Sequence, residues 1–214
     1  MKKALFLSGG WDGHKPDKIV QLFSDDLAAR GFTCEIERSL DPLADGARLR
    51  TYDLIFLCWT MGQLSKEQTE GLTGAVRDGV AFAGVHGGAG DAFRGNLDFE
   101  WLVGGHFVGH PHVGDYTVRI ADPDNPITAG LPQTFPYQSE QYYMMMDPAV
   151  HVLADSLYLH DGRSSSMPVA WTKTWGKGRV FYCSLGHDPE EFNRYPHARA
   201  LTLNGILWST RSLS

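Results

Sequence analysis

Short apolar runs alternate with amphipathic stretches through the first half of the chain, a rhythm that predicts regular βα units. Ala4-Leu5-Phe6-Leu7 reads as a strand that breaks into Ser8-Gly9-Gly10-Trp11-Asp12-Gly13-His14. From Pro16 or Asp17 to Ala29, the apolar positions Ile19, Leu22, Phe23 and Leu27 fall on one helical face, with Gly31 as the stop. Phe32 to Ile36 is a second strand. Asp53-Leu54-Ile55-Phe56-Leu57-Cys58 is a third, and its near-continuous apolarity is that of a strand covered on both faces. Ser65 and Gln68 form a reciprocal capping pattern, opening a helix that ends near Asp78-Gly79. Val80 to Val85 follows as a fourth strand and runs into His86-Gly87-Gly88-Ala89-Gly90.

The rhythm changes after residue 115. Tyr116 to Ile120 alternates in polarity and leads into a turn at Asp122-Pro123-Asp124-Asn125-Pro126. His151 to Leu157 and Pro168 to Thr174 read as strands, and Arg179 to Ser184 as an apolar strand breaking at Gly186-His187. His197 to Trp208 closes the chain as a helix, with Ala200, Leu203, Ile206 and Leu207 sharing one face. The sum is an α/β protein whose sheet is parallel in its first half and carries antiparallel additions.

Composition narrows the possibilities. A chain of 214 residues can bury one substantial core, so a single domain is expected over residues 1–214. A net charge of -6, with few clustered basic residues, argues against a nucleic-acid partner. Cys34, Cys58 and Cys183 lie in apolar, strand-like contexts and read as buried free thiols of a cytoplasmic protein. The first apolar run ends at Ser8, too early for a signal peptide or a membrane span. A homo-oligomer is compatible with this size, though no interface signature stands out.

The candidate chemistry gathers at strand ends. Ligands in doubly wound folds bind outside the carboxyl ends of the strands. If the strands before His86 and His187 are central and parallel, both imidazoles open on one crevice. Either can give or take a proton near neutrality. The alternative for His86 is that its ring caps the following helix or anchors the glycine loop. Glu140 sits among Phe135, Tyr137, Tyr142 and Tyr143. There its carboxyl would be raised by desolvation, paired with a histidine, or bound in an ion pair to Arg119 or Arg163.

His106, His110 and His112 form the densest histidine cluster, but Gly105, Gly109 and Pro111 weaken any helix that would present His106 and His110 together. His86, His110, His187 and Glu140 could hold a divalent metal such as zinc, although their spacing does not demand it. Tyr142, Tyr143 and Trp171 suit the apolar face of a sugar ring, Trp11 and Trp59 follow strand ends as rim residues, and His112 is a further binding candidate. There is no nucleophile elbow, no dinucleotide fingerprint and no phosphate loop.

Several stretches together resemble the ThuA-like (trehalose-utilisation) family, within the class I glutamine amidotransferase-like superfamily. They are Gly84-Val85-His86-Gly87-Gly88, Gly104-Gly105-His106-Phe107, His110-Pro111, Asn125-Pro126-Ile127, Glu140-Gln141-Tyr142, Pro168-Val169-Ala170-Trp171, Gly176-Lys177-Gly178-Arg179-Val180-Phe181-Tyr182 and Leu185-Gly186-His187. The resemblance implies a flavodoxin-like three-layer sandwich with a mainly parallel central sheet. It also marks a departure. Where amidotransferases of the superfamily carry a cysteine at the strand-to-helix elbow, this chain has His86, so glutamine hydrolysis through a thioester is not expected. Gly186-His187-Asp188-Pro189-Glu190 resembles the stretch that completes their triad.

The family's association with disaccharides and keto-sugars implies an enzyme of carbohydrate catabolism: a hydrolase, lyase or isomerase using His86, His187 and Glu140 on a small carbohydrate. A non-catalytic sugar-binding or partner-binding domain is the alternative.

Overall fold

The computed structural model describes residues 1–213. Nine strands form one sheet: β1 (Lys3–Gly10), β2 (Thr33–Glu37), β3 (Leu54–Thr60), β4 (Ala81–Val85), β5 (Gly105–Ile120), β6 (Thr134–Met146), β7 (His151–His160), β8 (Arg163–Trp175) and β9 (Gly178–Cys183). Their order across the sheet is β2-β1-β3-β4-β9-β8-β7-β5-β6. The pairings from β2 to β9 are parallel. Those from β9 to β6 are antiparallel. The expected mainly parallel sheet is therefore corrected to a mixed α/β sheet, because the segment after Gly104 forms long hairpin strands.

Helices cover the sheet: α1 (Pro16–Ala28), α2 (Gly46–Leu49), α3 (Lys66–Asp78), α4 (Gly87–Gly90), α5 (Leu97–Val103), α6 (Pro189–Arg194) and α7 (Pro196–Ser209). On one face, Ile19, Phe23 and Leu27 of α1 and Leu201 and Ile206 of α7 pack with Phe6, Phe56 and Phe181. On the other, Leu72 and Val76 of α3 and Phe99 and Leu102 of α5 pack with Leu5, Ile55 and Phe82. Adjacent residues of β1, β3 and β4 thus enter opposite cores, which is why these strands are apolar at nearly every position. The capping box at the start of α3 is present, with Ser65 Oγ accepting from the Gln68 amide and Gln68 Oε1 accepting from the Ser65 amide.

Two local expectations are corrected by packing. The buried side of α7 runs through Ala198, Leu201, Thr202, Leu203, Gly205, Ile206 and Ser209, so Leu203 and Ile206 are buried as expected while Ala200 and Leu207 are only partly so. Small residues face the sheet there because the helix approaches Phe181 too closely for larger ones; a Cβ on Gly205 would stand 2.1 Å from that ring. Of the thiols, Cys58 and Cys183 are buried, but Cys34 is only partly covered and donates weakly to Ser24 O.

The Gly105–Ile120 stretch is a strand and not a helix, and it pairs with β6 through two register shifts, between Phe107 and Gly109 and between Gly109 and His112. Bulges of this kind increase local twist and re-aim side chains. Because β5 meets β7 only over Val118–Ile120, its earlier part is bonded on one side, where Pro111 removes no needed donor. The middle of β6, where Glu140 pairs with Val113, brings that carboxylate to His86 and His187 after the parallel strands.

Gly205→Ala tests the α7 contact. Phe181 is fully buried and cannot swing away, so the added methyl should lower unfolding free energy in urea by about 1–3 kcal/mol.

Candidate functional site

Three carboxyl ends of parallel strands supply imidazoles to one place. β1 gives way at Gly9-Gly10 to a single 3₁₀ turn, Asp12–His14, and Lys15 then adopts a left-handed conformation (φ 48°) before α1. His14 reaches across the end of β3, where its Nδ1 lies 2.7 Å from Thr60 Oγ1. β4 ends at Val85, and His86 takes φ 45°, ψ -142° to turn the chain into α4. A non-glycine residue held in such a conformation costs on the order of 1–3 kcal/mol and clusters at functional sites. The cost is met by contacts on all sides of the residue. Its amide donates to Cys183 O at 2.7 Å and its carbonyl accepts from Tyr182 Oη at 3.0 Å. Its ring stacks on Tyr142 with centroids 4.2 Å apart.

β9 ends at Cys183, and the chain passes through Gly186 (φ 96°) to His187. This loop is anchored by Glu191, a buried residue that sequence reasoning missed. Glu191 accepts from Tyr137 Oη (2.6 Å), Ser139 Oγ (2.8 Å) and the His187 amide (3.1 Å), while Tyr137 Oη accepts from the Gly186 amide (3.0 Å). The same carboxylate therefore ties the His187 loop to β6 at Tyr137 and at Ser139, the residue before Glu140.

Glu140 is the fourth member. Its Oε2 lies 3.3 Å from His86 Nε2 and 3.6 Å from His187 Nδ1. One nitrogen or oxygen each from His14, His86, Glu140 and His187 falls within 4.8 Å of all the others. The three rings meet edge to face, with His14 centroids 4.7 Å from His86 and 5.0 Å from His187. Gly87 makes room for this: a Cβ there would sit 2.4 Å from His14 Cε1. His86 Nδ1 lies 2.7 Å from Ser184 O, which fixes the proton on Nδ1 and leaves Nε2 as an acceptor. His86 Nε2 and His187 Nδ1 are buried without a hydrogen-bond partner.

The cluster sorts its charges. Burial, reinforced by His86 and His187, pushes His14 down to about 3, so its imidazole is neutral near pH 7. Burial pulls the Glu140 carboxyl upward, but His187 and His86 outweigh it and hold the group well below the usual carboxylate range. The expected rise from desolvation alone is thus reversed by the neighbours. His187 moves up, chiefly because its ring faces the Glu140 carboxylate. Cys58 and Cys183 are driven to about 12 and about 11 by burial, so neither is a thiolate nucleophile beside this site.

The remaining sequence candidates separate by position. His86, His187 and Glu140 come together. His110 does not join them: it stands at the mouth, 44% exposed, with Nε2 3.7 Å from Glu140 Oε1. His14 takes the inner place that His110 was expected to fill. The cleft over the cluster measures about 190 Å³; His14 and Glu140 line it together with Trp11, Met61, Asp91, Arg94, Phe107, His110 and Tyr142, whereas His86 and His187 are not among its lining residues. Trp11 is exposed at its rim, edge-on to His14. Tyr142 is nearly buried and forms its floor.

Trp59 instead packs beside Gly9 and Gly62 and is not among the cleft-lining residues. Tyr143 is exposed and points away on the alternate face of β6. Trp171 is fully buried, its indole N–H donating to Val103 O, and cannot meet a sugar. His112 lines a larger groove of about 420 Å³ with Tyr116, Arg119 and Tyr158, away from the cluster. That groove is roomier, but the buried unpaired nitrogens of His86 and His187 belong to the cluster under the smaller cleft, which makes the smaller cleft the candidate site. Arg119 pairs with Asp155 and not Glu140, and His106 lies 3.4 Å from Glu100.

An α/β scaffold with a histidine–carboxylate cluster at its parallel strand ends defines the class of protein. The model of the ThuA family, described as trehalose utilisation, matches residues 3–209, and the chain belongs to that family. Among solved structures, it resembles a protein of Bacteroides uniformis described as ThuA-like (TM-score 0.78, 18% identity, covering 97% of this chain and 91% of that one). A similarly described protein of Parabacteroides merdae matches at TM-score 0.77 and 16% identity, covering 98% and 90%. A β-galactosidase from Rahnella sp. R3 matches at TM-score 0.65 and 14% identity, covering 99% of this chain but 31% of that one. No curated protein sequence matches the chain. Among the described residues no helix is long and apolar enough to cross a membrane.

Two outcomes follow for stability. The folded value of about 3 for His14 lies below its ordinary 6.5. Folding therefore favours the neutral ring, and its contribution is complete above pH 6.5 and lost as pH falls towards 3. Urea titrations of chelator-treated protein over that window should show a shallower acid loss in His14→Gln than in the parent. Glu191→Ala leaves the Tyr137 hydroxyl and the His187 amide without their acceptor, and should lower unfolding free energy by about 2–3 kcal/mol in the same assay.

Proposed function

We propose that this protein is an enzyme of carbohydrate catabolism that acts on a disaccharide or keto-sugar derivative at the His14–His86–Glu140–His187 cluster. The family's link to trehalose utilisation supplies the substrate class. The observation that carries the chemistry is the convergence of three imidazoles on one carboxylate beneath an open cleft. Such a group can move protons in both directions at one substrate. A carboxylate or neutral imidazole takes a proton from the carbon beside a sugar carbonyl, and an imidazolium gives one to the oxygen that becomes an enol. Trp11 offers an apolar face to a sugar ring at the rim, and His110 and Arg94 offer polar contacts to its hydroxyls.

Glutamine amidotransfer is not part of this reading, because the elbow position holds His86 and the nearest thiols are buried and protonated. The partner is then a small carbohydrate, with neither nucleic acid nor a membrane involved, and the protein acts in the cytoplasm, as a homo-oligomer if it assembles. The order β2-β1-β3-β4-β9 of the parallel half supports reading that half as a flavodoxin-like core.

A second reading is a non-catalytic sugar-binding or partner-binding domain. It is supported by the β-galactosidase match, in which a fold of this kind occupies about a third of a longer chain.

A panel of trehalose, its keto derivatives and related glycosides, read by product chromatography and calorimetry, separates the two. The enzyme reading expects turnover that falls by roughly 100- to 10,000-fold in His86→Ala and Glu140→Gln, with circular dichroism unchanged. Tight sugar binding without turnover would favour the binding domain, and undiminished turnover in both variants would remove the cluster from the chemistry.

A further inference from the structure

We propose that His14, His86, Glu140 and His187 form a binding site for one divalent transition-metal ion, with zinc as the reference ion. The inference shares its site with the carbohydrate reading but does not require it, since it rests on donor geometry alone.

The distances argue first. Zinc binds imidazole nitrogen and carboxylate oxygen at about 2.0–2.2 Å, so two ligands on a tetrahedral ion lie about 3.4 Å apart. A direct imidazole–carboxylate hydrogen bond would bring its atoms to about 2.7–2.9 Å. Glu140 Oε2 stands 3.3 Å from His86 Nε2 and 3.6 Å from His187 Nδ1, which matches two donors around a common centre better than two donors bonded to each other. The 4.8 Å span of the whole group is wider than one tetrahedral edge. Drawing it in requires side-chain shifts of about an ångström.

The unpaired atoms argue second. His86 is 1% exposed, yet its Nε2 has no hydrogen-bond partner, and His187 Nδ1 is in the same condition. Burying a polar atom unpaired costs roughly 1–3 kcal/mol, and here two such atoms point at the same carboxylate. An ion between them would satisfy both.

The outer contacts argue third. Ligating histidines characteristically hand their other ring nitrogen to a carbonyl or another fixed acceptor. His86 does so to Ser184 O, which leaves its inward Nε2 with its lone pair, and His14 Nδ1 is held by Thr60 Oγ1. A set of three imidazoles and one carboxylate suits zinc and its transition-metal neighbours better than calcium or magnesium, which prefer oxygen ligands. Bound there, beneath the cleft, the ion would polarise a sugar carbonyl or lower the pKa of a coordinated water.

The test uses the full chain without a histidine tag, stripped with chelator and titrated with Zn²⁺ by calorimetry and with Co²⁺ by absorption spectroscopy. One ion per chain is expected, with a rise in Tm on zinc addition. His187→Ala, a half-exposed position chosen to spare the fold, and Glu140→Ala should each weaken zinc binding at least 100-fold, while His160→Ala at an exposed hairpin position should not. Absence of saturable one-site binding at 100 μM zinc, or equal binding in the His187 and Glu140 variants, would overturn the proposal. Metal binding without turnover of any sugar would overturn the carbohydrate reading alone, and sugar turnover by a protein that binds no metal would overturn this one alone.

Discussion

The carboxylate of Glu140 among three imidazoles is the interaction on which the site depends. One negative charge stands 3.3 Å from His86 Nε2 and 3.6 Å from His187 Nδ1, and it raises the second of these rings. Burial holds His14 neutral, while the carboxylate draws His187 upward. One ring is thus favoured as the cation and another is held neutral, so a single pocket presents both an acid and a base. The backbone serves that arrangement. The strained turn at His86, the left-handed Lys15 and the glycine at 186 all lie at strand ends that deliver a ring to Glu140.

The parallel half of the sheet was legible because its physics is local. Strands buried on both faces are apolar at nearly every position, as the central runs of β1, β3, β4 and β9 are. His86 and His187 stood out for the same reason, each being the first ionisable side chain after such a run. The capping box of α3 and the stop at Gly79 likewise depend on neighbours a few residues apart.

What escaped was set by distance in the chain. His14 enters only because a 3₁₀ turn carries it across the end of β3 to Thr60, a contact no spacing announces. Glu191 acts through Tyr137 and Ser139, more than fifty residues away. The β5–β6 hairpin was obscured by its own bulges, which break the two-residue alternation, and by Pro111 and the glycines around it, which read as strand breakers. Trp171 showed the reverse error: an aromatic residue suited to a sugar ring was needed to fill the core between Val103 and Tyr182.

The hairpin that bears Glu140 lies at the far edge of the sheet from the strands that bear the histidines. Its place depends on the antiparallel pairings that run from β9 outward, so the carboxylate and the imidazoles come from opposite halves of the sheet. A chain with its parallel half assembled but its hairpin undocked would hold three imidazoles and no carboxylate among them. Completion of the cluster is thus tied to completion of the tertiary structure, and a partly folded chain is chemically silent.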